Sequence, residues 1–406
     1  MGLTYEATHR TLPPKQEMQV GQELTAREIL ARLVGFPTVS RDSNLALVDW
    51  VEGYLASWGV TATRVYNPER TKAALYANIG PLVPGGVILS GHTDVVPVDG
   101  QVWTSDPWTL TERAGRLYGR GTCDMKGFDA LALAMVPVAL ACGLKRPLQI
   151  ALSYDEELGC TGAPPMIAEM VKLLPKASAV LVGEPTRMQA VTGHKGGVGF
   201  AVQIRGVEVH SSLLHTGVNA IMEGAKIIDW ANRRNEESFA RSPGPLAALF
   251  DPPCSTTHIG VISGGTAHNI TAGHCNFGLD FRIVPGDYLA EHLAAFKAKV
   301  AEVEAGMKAI RPEAGIIVTE RFHVPPLVPE TDGAAEGLVR AITGDNASHR
   351  VSYGTEAGQF QAAGYSAVVC GPGDIAQAHQ ADEFIELAQI EAGEAFLRRV
   401  VAGLAV

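Results

Sequence analysis

Apolar residues are arranged along this chain in two textures, and the change between them divides it. In the first half, short apolar runs are bounded by glycine or polar residues: Gly86-Val87-Ile88-Leu89-Ser90-Gly91, Leu148-Gln149-Ile150-Ala151-Leu152-Ser153 and Ala179-Val180-Leu181-Val182-Gly183. Continuous runs of this length read as strands buried on both faces, the habit of a parallel sheet covered by helices. A fourth run, Ala367-Val368-Val369-Cys370, comes near the end. Between them the pattern alternates. Val198, Phe200, Val202 and Ile204 are spaced by smaller or polar residues, as are Cys275, Phe277, Leu279, Phe281 and Ile283. A period of two predicts antiparallel strands with one face in water.

Helical spacing accounts for much of the remainder. Thr25 and Glu28 form a capping-box signature ahead of Ile29, Leu30, Leu33 and Val34. Leu45, Val48, Val51 and Leu55 predict a helix over about 44–59. A long apolar helix follows Lys126, with Pro137 expected to kink it. Amphipathic helices are expected over 219–235 and through Leu289, Leu293, Phe296, Val300 and Val303, with a strand over 315–322. Residues 1–22 read as an extended arm. This order predicts an α/β catalytic domain with a mostly parallel sheet, into which a smaller α+β, ferredoxin-like domain is inserted. Residues 1–194 and 325–406 form the two parts of the first domain, and 195–324 the insert. A chain of 406 residues is long enough for two cores.

Composition narrows the partners. A net charge of −10 argues against nucleic acid and anionic membranes. The longest apolar run, Ala130 to Leu144, falls short of the roughly 20 residues a membrane span needs. Met1 to Gln19 lack the apolar core of a secretory signal, so a cytoplasmic protein is expected. Cys123, Cys142, Cys160, Cys254, Cys275 and Cys370 form no CxxC pair and read as reduced structural thiols.

The chemistry sits where the apolar strands end. His92-Thr93-Asp94, Asp155-Glu156-Glu157, Glu184 and His379 each follow one of the four runs, and Asp124 lies at a loop-to-helix junction. Parallel strands deliver functional side chains at their carboxyl ends. Each residue alone has a plainer explanation: a structural histidine, a solvated acidic turn, a helix N-cap. Together, two imidazoles and several carboxylates suit zinc or a similar divalent ion, and one carboxylate can bridge two ions. Such a pair polarises a carbonyl and activates water, the chemistry of amide hydrolysis.

Five ordered motifs resemble the dinuclear-zinc amidohydrolases, a family that includes carboxypeptidase G, aminoacylase, succinyl-diaminopimelate desuccinylase and acetylornithine deacetylase. They are Gly91-His92-Thr93-Asp94-Val95-Val96-Pro97, Gly121-Thr122-Cys123-Asp124-Met125-Lys126-Gly127, Asp155-Glu156-Glu157, Gly183-Glu184-Pro185-Thr186 and Ala378-His379-Gln380. The resemblance implies two divalent ions, zinc first and cobalt second, with His92 and Glu184 on one, Glu157 and His379 on the other, and Asp124 bridging. It implies that Asp94 orients His92, that Glu156 is the general base, and that His210 stabilises the oxyanion in a partner's site, from a lid domain that makes a homodimer. Asn269 and Arg282 match substrate-contacting positions. The sequence departs from the family beside His210, where Val209 stands in place of glycine and Leu213-Leu214-His215 in place of a proline turn.

Within the family, His194-Lys195-Gly196, Gly217-Val218-Asn219-Ala220-Ile221 and Thr355-Glu356-Ala357 are most similar to the acetylornithine deacetylase branch. Gln359 stands where the desuccinylases carry an arginine for an acidic acyl group, and Glu356 suits a cationic tail. The expected reaction is hydrolysis of N2-acetyl-L-ornithine to ornithine and acetate in arginine biosynthesis. Acetylcitrulline, or a broader set of N-acyl amino acids or peptides, is the alternative substrate. A non-catalytic scaffold is the alternative of another class, and the intact ligand set with Glu156 counts against it.

Overall fold

A computed structural model describes residues 21–406, so most of the expected N-terminal arm lies outside the described residues. The chain forms two compact units. The first comprises residues up to Glu157, Glu169–Met188 and Cys370–Val406; the second comprises Leu158–Ala168 and Gln189–Val369.

In the first unit the strand Val87–His92 is central, and all six of its residues are buried. It runs parallel to Leu148–Ser153 on one side and to Ala179–Pro185 on the other. Ala73–Ile79 and then Ala62–Tyr66 extend the sheet in antiparallel fashion. Register brings the chemistry level. His92 pairs with Ser153, so the acidic turn begins just beyond it, and Ser90 pairs with Val182, which puts Glu184 at the height of His92. A one-residue slip would turn every one of these side chains to the other face.

Helices cover the sheet as the periodicity predicts. Ala26–Val34 begins at a complete Thr25/Glu28 capping box. Leu45–Ser57 follows Asn44, whose amide bonds Ala73 and Thr93 instead of capping the helix. The helix Lys126–Ala141 continues as helix through Pro137 and is buried along most of its length, which is why its sequence shows no polar face. Lys126 is fully buried, and its Nζ donates to the carbonyls of Leu33 and Phe36 at the end of the first helix, while burial lowers its pKa to about 7. A separate three-stranded sheet, Thr111–Arg113, Arg116–Tyr118 and Phe384–Glu386, ties the end of the chain to the loop that precedes Asp124.

The second unit carries the alternating strands. Gly196–Arg205 lies between His274–Ile283 and Gly315–Val324, all antiparallel. Two short strands, Thr256–His258 and Ile262–Gly264, occupy successive lengths of the outer edge of His274–Ile283. The four-stranded sheet of a ferredoxin-like domain is therefore present with one strand broken in two; those pieces are too short to show a period. Val198, Phe200, Val202 and Ile204 pack with Phe277, Leu279 and Phe281 beneath the helices Ala220–Ala240 and Leu289–Ile310, where Phe296 meets Phe200, Phe281 and Trp230. Val191–His194, which the apolar pattern did not single out as a strand, pairs in parallel with His349–Val351.

His194 is buried at the end of that strand. Its Nδ1 donates to the Lys195 carbonyl at 2.9 Å and its Nε2 accepts from the Gly358 N–H at 3.2 Å, which defines a neutral ring. Burial lowers its pKa to about 4, outweighing the backbone contacts with Lys195 and Thr355 that favour the charged ring. A depressed pKa gives stability that is complete above the unfolded value near 6.5 and is lost as pH falls toward 4. By linkage the loss reaches about 2 kcal/mol at pH 5. Urea unfolding of the metal-free protein at pH 7.5 and pH 5.0 should therefore show a drop smaller by that amount in His194→Gln than in the wild type; equal drops would contradict it.

Candidate metal centre

The sheet edge gathers His92, Asp94, Asp124, Glu156, Glu157, Glu184 and His379 within the first unit. Asp124 lies between the histidines. Its Oδ1 is 3.0 Å from His92 Nε2 and its Oδ2 is 3.2 Å from His379 Nε2. Glu184 Oε1 is 3.7 Å from His92 Nε2, and Glu157 Oε2 is 3.1 Å from His379 Nε2. One carboxylate thus addresses two imidazoles with different oxygens, each imidazole having a second carboxylate beside it.

The acidic turn is sorted by three separate contacts. Asp155, with φ of 55°, turns away to pair with Lys72 at 2.6 Å. Glu156 groups with His92 and Glu184, whereas Glu157 groups with His92 and Asp124; the ligand atoms of each group lie within 4.8 Å of one another. Both adjacent carboxylates thus reach His92, Glu156 together with Glu184 and Glu157 together with Asp124. The Asp94 carboxylate fixes the turn by accepting the N–H groups of Glu156 at 3.1 Å and Glu157 at 3.4 Å, with Ser40 Oγ at 2.6 Å.

One detail differs from the family expectation. His92 Nδ1 lies 2.9 Å from the main-chain carbonyl of Asp94, and the Asp94 carboxylate is 3.6 Å away. The carbonyl is the hydrogen-bond partner, because 3.6 Å is too long for one. The result is the tautomer a ligand needs: Nδ1 carries the proton and Nε2 faces the carboxylates.

Electrostatics fit the donor set to cations. Burial raises the pKa of Glu184 well above its usual value, with the Asp124 charge adding to it, and the same two causes raise Glu157. Hydrogen bonds to Asp124 and Glu157 raise His379 to about 10. For His92 burial opposes the charged ring, but the Asp124 and Asp94 carboxylates outweigh it and raise the pKa. Asp124 is lowered despite its burial, by its bonds to His379 and His92. Four carboxylates and two imidazoles packed this closely need positive charge. Glu184 Oε1, moreover, is buried without a hydrogen-bond partner among the described residues. Oxygen and imidazole donors in this number fit a pair of divalent ions, and His92, Asp124, Glu157, Glu184 and His379 are the residues that would hold them.

The remaining candidates belong to the second unit. His210 and Asn269 are brought together: Ser211 N–H donates to the Asn269 carbonyl at 2.9 Å, and His210 bridges Ile270. His210 Nδ1 accepts from Ser212 Oγ at 2.8 Å and Ser212 N–H at 3.3 Å, which leaves its exposed Nε2 as the donor. The departure at Leu213-Leu214 falls in two short 3₁₀ turns over Ser211–Thr216 that meet at a kink at Leu213. Arg282 stands on the strand His274–Ile283 with Asp280 Oδ2 3.5 Å from its Nε. Glu356 is buried at the start of the helix Ala357–Ala362. Gln359 donates through Nε2 to the Cys160 carbonyl at 3.0 Å, and its Oε1 is buried without a partner among the described residues.

Several residues that hold the site were not marked by any motif: Ser40, Lys72, Gln101, Arg120 and Glu383. Their partners lie tens to hundreds of positions away, so local spacing carries no trace of them. The one available signal is the acidic pair Asp382-Glu383 close behind His379.

Comparison with known proteins identifies the family. The sequence profile of Peptidase family M20/M25/M40 matches residues 88–403. An acetylornithine deacetylase of Myxococcus xanthus is 34% identical over 388 residues, covering 93% of this chain and 96% of that protein. Among solved structures, an M20 family metallo-carboxypeptidase from Sulfolobus solfataricus superposes with a TM-score of 0.74 at 18% identity, covering 93% of this chain and 99% of that one. A Bacillus subtilis protein described as a dinuclear metal binding peptidase of the M20 family gives a TM-score of 0.58 at 13% identity, with 93% and 96% covered. Fold, site and relatives define a metal-dependent amidohydrolase. The chain belongs to Peptidase family M20/M25/M40. Among the described residues no helix is long and apolar enough to cross a membrane.

Proposed function

We propose that the protein hydrolyses N2-acetyl-L-ornithine to L-ornithine and acetate in arginine biosynthesis, as a cytoplasmic zinc-dependent homodimer. The observation that carries the substrate is the likeness, at 34% identity over 388 residues, to an acetylornithine deacetylase. Neutral Gln359 and acidic Glu356 support it, since a succinyl group would find no cation at Gln359 and an ornithine ammonium would find an anion at Glu356.

In this reading His92 and Glu184 would hold one ion, Glu157 and His379 the other, and Asp124 would contribute to both. When bound, the ions supply Lewis acidity that polarises the scissile carbonyl and acidifies the attacking water. Glu156 takes a proton from that water and returns it to the leaving nitrogen. Its neighbours differ from those of Glu157, Glu184 beside the one and Asp124 and His379 beside the other, which supports separate roles. Asp94 holds the turn that aims Glu156 and, through its carbonyl, the tautomer of His92. His210 of a partner copy donates a hydrogen bond from its Nε2–H to the developing oxyanion. Asn269 beside it and Arg282 bind substrate, the latter through the α-carboxylate. The edge strand Ile262–Gly264 is exposed throughout, with exposed Val261 before it and exposed Ile221 against Gly264, which supports pairing with a second copy.

The substrate is tested by kcat/KM for N2-acetyl-L-ornithine, N2-acetyl-L-citrulline, N-acetyl-L-methionine and N-succinyl-diaminopimelate on zinc-loaded protein. Acetylornithine should lead. A lead for another acyl amino acid would leave the hydrolase standing and remove the arginine assignment.

A further inference from the structure

A buried carboxylate outside the ligand set joins two of its members. Glu383 precedes the strand Phe384–Glu386, whose pairing with Arg116–Tyr118 sets it against the loop leading to Asp124. It is 1% exposed. Its Oε2 accepts from Arg120 Nη1 at 2.7 Å and Gly121 N–H at 3.0 Å. Its Oε1 accepts from Cys123 N–H at 2.9 Å and Asp124 N–H at 3.1 Å. Four donors use the four lone-pair positions of a carboxylate. Glu383 therefore has no capacity left to ligate a cation or accept a proton from water, although Asp124 is its direct neighbour.

The bonds continue beyond it. Arg120, itself fully buried, donates through Nη2 to Gln101 Oε1 at 2.6 Å. Gln101 Nε2 donates to the main-chain carbonyl of His379 at 2.9 Å. Because His379 lies four residues before Glu383 in the chain, the path Asp124, Glu383, Arg120, Gln101, His379 closes on itself. Inside that ring Asp124 Oδ2 and His379 Nε2 stand 3.2 Å apart. Nearby, Asp382 Oδ1 accepts Thr104 N–H at 2.9 Å, tying the same loop to the segment after His379.

We infer that Glu383, with Arg120 and Gln101, is a positioning device that sets the spacing of Asp124 and His379 before an ion binds, and so governs metal affinity. The inference rests on the reading of Asp124 and His379 as ligands. Partners of this kind spare the binding ion the cost of ordering its ligands. Removing them should weaken metal binding without touching the substrate.

The test is calorimetric titration of zinc into chelated wild type, Gln101→Leu and Glu383→Gln, with circular dichroism to verify folding and steady-state kinetics at saturating zinc. The expected result is zinc affinity lowered about 10- to 100-fold in both variants, with KM for the preferred N-acyl substrate within about twofold of the wild type. Gln101 is half-buried in a loop, so Gln101→Leu decides the matter should Glu383→Gln fail to fold. Folded variants that bind zinc as tightly as the wild type would overturn the inference. A wild type that binds no divalent ion would overturn the ligand reading itself, and the two failures are thus distinct.

Discussion

Glu156→Ala should lower kcat by about 10²- to 10⁴-fold, the usual worth of a general base, while the chain keeps its full complement of divalent ions. The two halves of this result depend on one local feature. Asp94 accepts the N–H groups of both Glu156 and Glu157, so the turn holds its shape when one side chain is cut back. Glu157 stays beside His379 at 3.1 Å. The measurement is metal content after dialysis together with acetate release under saturating substrate. An alanine variant that lost metal in proportion to activity would identify Glu156 as a ligand and leave the base unassigned.

Asp124→Ala has the opposite signature. Its two oxygens face different histidines, so truncation removes a donor from both halves of the site at once and leaves Glu157, Glu184 and both imidazoles without the charge they share. Metal affinity should fall by more than about 100-fold, beyond what loss of an outer partner causes, and turnover should fall with it even when zinc is added. If excess zinc restores wild-type kcat, Asp124 does not bridge. The contrast between these variants, one silent with metal and the other silent without it, separates chemistry from assembly.

The strands were legible because burial on both faces writes itself into the sequence as continuous apolar runs, and His92 and Glu184 stand at the ends of two of them. His92 follows Gly91, and Glu184 follows Gly183, with nothing between. The helices Ala220–Ala240 and Leu289–Ile310 were legible for a related reason: each has one face on the sheet. Other features had no local cause. The strands Val191–His194 and His349–Val351 are short and are defined by each other across more than a hundred residues. The Glu383 ring depends on Arg120, which as a sequence symbol looks like any surface arginine. The tautomer of His92 was expected from the Asp94 side chain, yet the backbone carbonyl supplies it, a choice made by the turn and not by residue type.

The most direct test of a two-ion hydrolase is zinc titration of the chelated protein with acetate release as the readout. The account predicts no turnover without metal and a rate that rises to a plateau at two ions per chain. Full turnover in protein carrying less than one divalent ion per chain would contradict it.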